Sequence, residues 1–290
     1  MSRLGTRELE LKANGIRQDI IQMLIAAGSG HTAGPLGMAD VLTALYFEVL
    51  KQDPAKPEWS ERDRLVLSNG HIVPVLYATM AEAGYLQKSE LKTLRSFGSR
   101  LQGHPERLRL PGLETTSGPL GSGLSQAVGM AIGLRMDERR GQRVYCLTGD
   151  GELNEGNIWE AIMLAGKLRL SNLTVIIDRN NIQIDGPTEE VMPLEPLAMK
   201  WQAFNWHVIE IDGHNMEEII AACDQAKAVY ERPTCIIAHT IPGKGVDFME
   251  YDFRWHGYDL ATERATQLRD YRAALEKLRM LNGQIRSEHE

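Results

Sequence analysis

A doubly wound α/β fold, with a mostly parallel sheet and helices on both faces, is what the amino-acid sequence predicts. Three observations lead there. Short β-branched runs alternate with helix-period segments along the chain. The strand–helix–strand repetition implies parallel pairing through right-handed crossovers. At 290 residues the chain can bury one large core without disulfides or metals as staples. No linker, repeat or low-complexity stretch divides it, so a single domain over 1–290 is expected.

The elements follow in order. Thr6–Ala27 reads as a helix with Leu9, Ile16, Ile20, Met23 and Leu24 on one face, and Met38–Leu50 as a second. A short strand at Arg64–Leu67 precedes a helix over Pro74–Ala83, and Gly121–Arg140 reads as a long, glycine-containing helix. The pattern is clearest afterwards: strand Arg143–Thr148, helix Asn157–Leu168, strand Leu173–Asp178, strand His207–Ile211, helix Met216–Tyr230, strand Thr234–His239. A closing helix covers Thr262–Leu281, with Leu268, Tyr271, Leu275 and Leu278 at helical spacing.

Composition excludes several classes. The chain is 43% hydrophobic and 24% charged, which rules out disorder for its bulk, and its net charge of −7 lacks the basic footprint of a nucleic-acid binder. No apolar run approaches a membrane span, and Met-Ser-Arg-Leu-Gly-Thr-Arg-Glu at the start is no signal peptide. Cys146, Cys223 and Cys235 form no CxxC, and three thiols cannot all pair, so buried free thiols in a reducing, cytoplasmic setting are expected.

In doubly wound sheets ligands bind beyond the carboxyl ends of the strands. The residues there are polar or glycine-rich: Gly149-Asp150-Gly151, Asp178-Arg179-Asn180-Asn181, Asp212-Gly213-His214, and His239 followed by Gly243-Lys244-Gly245. Asp150 and Asn180 each follow an apolar strand, with one helix between. On neighbouring strands their ends lie roughly 5 Å apart, so a carboxylate and an amide oxygen can share one hard cation, Mg²⁺ or Ca²⁺. Glycines beside Asp150 let backbone N–H groups approach an anion, which suits a metal-bridged diphosphate. Taken alone, Asp-Gly after a strand is also an ordinary turn.

The dinucleotide reading fails: Gly121-Ser122-Gly123-Leu124-Ser125-Gln126 ends in Gln and follows no strand. No Walker A lysine motif is present. Of eight histidines, His31, His71, His104 and His256 sit in glycine-rich, non-periodic contexts, where binding groups concentrate. His207 begins a strand and reads as structural, His214 and His239 are ambiguous, and His289 belongs to the tail.

Gly149-Asp150-Gly151 followed by Asn180 resembles the thiamin-diphosphate motif, and the surrounding segments resemble transketolase. They are SGHTAGPLG (29–37), SNGH (68–71), GHPE (103–106), TTSGPLGSGLSQAVGMA (115–131), DRNNIQIDG (178–186), GKGVDFME (243–250) and WHG (255–257). The resemblance covers the diphosphate-binding half of a transketolase. It therefore implies the N-terminal subunit of a split enzyme that transfers a two-carbon ketol unit from a ketose phosphate to an aldose phosphate.

The resemblance also implies residue roles. Asp150, Asn180 and the Ile182 carbonyl would ligate Mg²⁺. His71, Gly118, Leu120, Gly151, Asn180 and His256 would contact thiamin diphosphate. His31, His71, His104 and His256 would line the channel and handle sugar hydroxyls, Glu155 would communicate with the partner's catalytic glutamate, and Asp185 would help position a substrate-side loop. The partner, a C-terminal transketolase subunit, would supply that glutamate and the arginines that grip the sugar phosphate. A dimer of heterodimers follows, with the interface on the strand-end face near 118–123 and 151–158. Two positions depart from the family: Thr-Ala-Gly follows His31 where Pro-Gly is more frequent, and Asn181 stands where longer relatives often have Gly. The competing readings are a deoxyxylulose-phosphate-synthase-like enzyme, a 2-oxo-acid dehydrogenase α subunit, and a non-catalytic cofactor-binding regulator. The histidines in SNGH, GHPE and WHG argue against the dehydrogenase, whose substrate lacks a polyol.

Overall fold

The structure, a computed structural model, describes residues 4–139, 141–259 and 264–281. Five parallel strands form its central sheet: β1 (Arg64–Leu67), β2 (Val144–Gly149), β3 (Leu173–Arg179), β4 (His207–Asp212) and β5 (Thr234–His239). Their spatial order is β1-β2-β3-β5-β4, so the consecutive strands β2 and β3 are neighbours at the centre and β4 takes an edge. Six helices of eight or more residues surround the sheet: α1 (Thr6–Ala27), α2 (Val73–Glu82), α3 (Ser122–Met136), α4 (Gly156–Leu168), α5 (Met216–Ala228) and α6 (Arg264–Leu281).

Alternation along each strand feeds two cores, one on each face. Tyr145, Leu147, Ile176 and Ile236 pack with α1, α2, α5 and α6. Val144, Cys146, Val175 and Ile237 pack with α3 and α4 and with Trp201 and Trp206. Leu9, Ile16, Ile20, Met23 and Leu24 are all buried on α1, as their spacing predicts. Gly28, in the left-handed region at φ 71°, ends that helix by donating its N–H to the Leu24 carbonyl. That turn sends the chain straight into the segment bearing His31.

Three expectations need correction. The helix expected over Met38–Leu50 is present over 39–49, but not as a uniform α-helix: Ala39–Ala44 is α-helical and runs directly into Leu45–Val49, a π-helical turn closed by Leu50 N–H to the Leu45 carbonyl, and a separate short helix, Ala33–Gly37, precedes it. The helix expected to reach Arg140 stops at Met136, because Glu138 turns left-handed at φ 56°; Arg140 itself lies outside the described residues. The helix expected to reach Tyr230 stops at Ala228, where Val229 goes extended. The first two residues of the expected closing helix, Thr262 and Glu263, and also His289, lie outside the described residues.

Several short elements carry no periodic signal and were not anticipated. Ser29–His31 pairs antiparallel with Gly257–Asp259, and Ile182–Gln183 with Gly186–Pro187. A helix covers Leu197–Ala203. Cys146, Cys223 and Cys235 are buried and free. No helix among the described residues is long and apolar enough to cross a membrane.

Candidate active site

Beyond the carboxyl ends of β1, β2 and β3 lies a cavity of about 290 Å³. Its floor comes from the register of the two central strands, which sets Gly149 opposite Asp178. The Asp150 N–H then donates to the Asp178 carbonyl at 3.2 Å. Asp150 is buried, with Oδ1 accepting from the Gly151 N–H (2.7 Å) and Oδ2 from the Asn181 N–H (2.8 Å) and Arg179 Nη1 (3.1 Å). Asn181 reaches back because it occupies the left-handed region at φ 62°, a conformation asparagine tolerates. Burial pushes the Asp150 carboxyl up, against the Arg179 guanidinium and the two N–H groups, which pull it down. Arg179 is held in turn by Glu189 (2.7 Å) and Glu195 (2.9 Å).

Asn180 has its amide orientation set by neighbours. Its Nδ2 donates to Asp178 Oδ2 at 2.8 Å, while Oδ1 accepts from the Ile182 N–H at 3.0 Å. Asp178 is fully buried and accepts a hydrogen bond from the Thr240 hydroxyl. Burial, with the Asp150 charge adding to it, pushes its carboxyl up to about 7. Asp150, Asn180 and Ile182 all line the same cavity. Ile182 lines the cavity, and its partner across the small hairpin is Pro187, which has no N–H to offer a carbonyl.

One carboxylate, one amide oxygen and one peptide carbonyl make a hard-oxygen donor set that fits Mg²⁺ or Ca²⁺ and not zinc. Among the described residues no group of three or more His, Cys, Asp or Glu is arranged to hold a metal by itself. A cation here would complete its shell with ligand and water oxygens. Orphaned polar atoms point to the ligand as well: both Oδ1 and Nδ2 of Asn69, buried and lining the cavity, have no partner among the described residues.

Histidines form the facing wall. The His31 and His71 ring centroids are 4.8 Å apart, His71 and His256 5.2 Å, and His31 and His256 5.5 Å. The antiparallel pairing of His31 with Gly257 brings the first and last of these together. Burial lowers all three imidazoles: His31 to about 3, helped by the His256, Arg95 and His104 charges, and His71 well below its ordinary value, helped by His31 and His256. His104, exposed but lining the same cavity, is lowered by partial desolvation and by Arg95. Nδ1 of His31 and of His256 is buried without a partner among the described residues.

The cavity thus gathers His31, His71, His104, His256, Gly118, Leu120, Asp150, Gly151, Asn180 and Ile182. Two expected residues stand apart. Glu155 is exposed at the N-cap of α4 and does not line the cavity, and Asp185 is exposed in the hairpin turn. His214, ambiguous in the sequence, is buried, with Nδ1 2.7 Å from Asp40 Oδ2 and Nε2 accepting from the Ile241 N–H. His239 pairs at the surface with Glu210, and His207 lies at the start of β4 against Gln225. Sequence reasoning overlooked Asn69, Glu152 and Asp178 as individual residues. The available signals were that Asn69 lies inside SNGH, that Glu152 follows the Asp-Gly pair, and that Asp178 ends a strand two residues before Asn180.

Comparison with known proteins agrees with this geometry. Residues 10–276 match the family described as transketolase, thiamine diphosphate binding domain. The chain is 46% identical over 256 residues to a 6-deoxy-6-sulfo-D-fructose transketolase subunit of a Clostridium species, covering 88% of this chain and 93% of that one. It is 42% identical over 276 residues to an apulose-4-phosphate transketolase subunit of Phocaeicola vulgatus, covering 95% and 98%. Among solved structures, the transketolase of Campylobacter jejuni superposes with a TM-score of 0.84 at 35% identity, covering 97% of this chain and 48% of that one. The transketolase of Leishmania mexicana does so with 0.82 at 34%, covering 97% and 46%. The chain spans about half the length of these solved transketolases and nearly all of the two relatives named as subunits. By fold, by sequence and by the groups at its strand ends, it belongs to the transketolase family, as the thiamine diphosphate-binding, N-terminal part.

Proposed function

We propose that this chain is the N-terminal subunit of a two-chain transketolase, moving a two-carbon ketol unit from a ketose donor to an aldose acceptor. The observation that carries the reading is the cavity itself. One wall offers hard oxygen donors and the other offers a cluster of imidazoles, and polar atoms along it have no partners among the described residues. On this reading residues 1–290 are the diphosphate-binding domain, and the pyrimidine-binding and C-terminal domains reside on a second polypeptide.

Asp150, Asn180 and the Ile182 carbonyl would hold Mg²⁺, and Gly151 and His71 would meet the diphosphate. Thiamin diphosphate, when bound, supplies the nucleophilic carbon that accepts and hands on the two-carbon unit. The protein's own part is positional and protic. Gly118 and Leu120 shape the passage, and four imidazoles held neutral near pH 7 can accept or donate a hydrogen bond to sugar hydroxyls as protons shift.

Leu120 and Ile184, 38% and 65% exposed, stand at the cavity as apolar side chains in water. Met163 and Leu164 are exposed on α4, the helix that Glu155 caps. This surface supports a partner chain docked over the strand ends, with Glu155 at the junction and two such pairs assembled as a dimer of heterodimers. The named relatives act on a sulfonated fructose and on apulose 4-phosphate, which supports a sugar with an anionic terminus. Free, buried cysteines support a reducing, cytoplasmic setting.

The test is to capture the tagged chain from its own cells with thiamin diphosphate and Mg²⁺ present, identify what accompanies it, and assay ketol transfer. A second chain of similar size, with activity that neither chain has alone, is expected. Ketol transfer by this chain in isolation would overturn the two-chain reading. Cofactor binding with no partner and no activity would favour a regulatory role instead.

A further inference from the structure

We propose that Glu152 is the positioning residue of the cofactor cavity, its single carboxylate holding three separate backbone segments in the arrangement that receives the diphosphate. The proposal rests on the cofactor reading above and assigns the residue that keeps that site assembled.

Glu152 is 3% exposed. Its Oε1 accepts from the Ser68 hydroxyl at 2.5 Å and from the Gly121 N–H at 2.6 Å, and its Oε2 accepts from the Gly149 N–H at 3.1 Å. Each donor belongs to a different wall of the cavity. Ser68 leads into Asn69 and His71, Gly121 closes the loop carrying Gly118 and Leu120, and Gly149 precedes Asp150. The Ser68 and Gly121 segments are also pressed together: a Cβ at Gly123 would lie 2.6 Å from Ser68 Cα. Packing brings these walls into contact, and the carboxylate decides which way their N–H and O–H groups point.

The choice of a carboxylate is informative. Among the described residues no lysine or arginine is paired with Glu152, so the hydrogen bonds from Ser68, Gly121 and Gly149 are what offset the burial of its carboxyl group. A group that only filled space would not carry this burden, because burying a carboxyl group away from a cation is unfavourable. A carboxylate is, however, the side chain with two oxygens that both accept and neither donates. Glutamine has the same shape but one oxygen. Whichever way its amide turned, the NH₂ would face a backbone N–H, at Gly149 or at Gly121.

Glu152→Gln therefore tests the proposal in the reconstituted two-chain complex. Calorimetric titration with thiamin diphosphate and Mg²⁺ should show binding weakened about 10- to 100-fold, the effect of one lost charge-assisted hydrogen bond. At saturating cofactor, kcat should stay within a few-fold of wild type and the sugar KM should be unchanged. Ser68→Ala removes one donor and leaves the carboxylate in place, so it should weaken cofactor binding by a smaller factor, about 3- to 10-fold. That variant also decides the matter if Glu152→Gln does not fold. Cofactor affinity within twofold of wild type in either folded variant would overturn the proposal. So would a lowered melting temperature of the apo complex with unchanged affinity, which is what simple packing predicts. Wild-type complex that fails to bind thiamin diphosphate would overturn the cofactor reading itself, a result separable from both variants.

Discussion

At the floor of the cavity Asp150 gives both carboxylate oxygens to four donors, from Gly151, Arg179, Asn181 and Thr188, whereas the wall opposite leaves His31 and His256 each with a buried Nδ1 that bonds to nothing among the described residues. The floor is complete before any ligand arrives. Its charges are fixed in place, so binding there requires little reorganisation. The wall keeps its Nδ1 atoms uncommitted to the protein, so a ligand or water can supply their hydrogen bonds, each worth about 1–3 kcal/mol if left unmade. On the proposed function the division matches two tasks: a diphosphate and its cation would need a rigid receptor, while sugar hydroxyls would need groups whose hydrogen bonds are still uncommitted.

Substitutions can break this comparison at either side. The largest effect on cofactor binding is expected for Asp150→Ala, which removes the proposed metal ligand and the acceptor of four donors. Thiamin diphosphate affinity in the presence of Mg²⁺ should fall more than about 100-fold by calorimetry; affinity near wild type would remove Asp150 from the metal assignment. At the wall, His31→Ala should leave cofactor affinity within a few-fold of wild type but lower kcat/KM for ketol transfer about 10²- to 10⁴-fold at saturating cofactor. A variant that lost cofactor binding instead would erase the distinction between the two sides.

The pH dependence of apo stability sharpens the same contrast, because the two sides carry opposite signs. His31 titrates near 6.5 when unfolded and at about 3 when folded. Between those values the unfolded state binds a proton that the native state refuses, so stability from this group is full above 6.5 and falls as the pH falls. Asp178 runs the other way: its carboxyl titrates near 3.8 unfolded and at about 7 folded, so its contribution declines as the pH rises through that window. Urea midpoints of the apo chain from pH 5 to 7.5 should rise less steeply in His31→Asn than in wild type, and more steeply in Asp178→Asn. Parallel curves for all three proteins would mean that neither group titrates as its surroundings imply. The smallest effect is expected at Gly257, where an added Cβ would lie 3.1 Å from His31 Nε2 and 3.2 Å from Cδ2. Gly257→Ala should shift the ring by a few tenths of an ångström and lower kcat by less than about tenfold, which steady-state kinetics with bound cofactor would measure.

The central sheet was legible in the sequence because β2, β3 and β5 are six or seven residues long, apolar and separated by helices of clear period. The floor was legible for the same reason, since strand adjacency follows from the repeat and places Asp150 beside Asn180. The wall was not legible in that way. His31 and His256 meet through two three-residue strands far apart in the chain, too short to show any alternation. Resemblance alone brought those histidines together in advance. Asp178 and Glu152 escaped notice because a carboxylate is read as surface until its buried donors are seen. The extent of the Met38–Leu50 helix was legible, but its π-helical last turn, Leu45–Val49, was not, because a π turn leaves no distinct mark in the apolar spacing.

The pairing of Ser29–His31 with Gly257–Asp259 gives the cavity a birth order. A ribosome releases the residues of the floor, up to Ile182, long before it releases the strand that completes the wall. The strands that carry Asp150 and Asn180 are therefore complete in sequence before the segment that brings His256 to His31. Contacts spanning so much sequence close late, because loop closure must precede any stabilisation they return. A chain ending before residue 256 would leave His31 without His256, and would also lose α6, whose Tyr271, Ala274, Leu275 and Leu278 belong to the core that packs against α1.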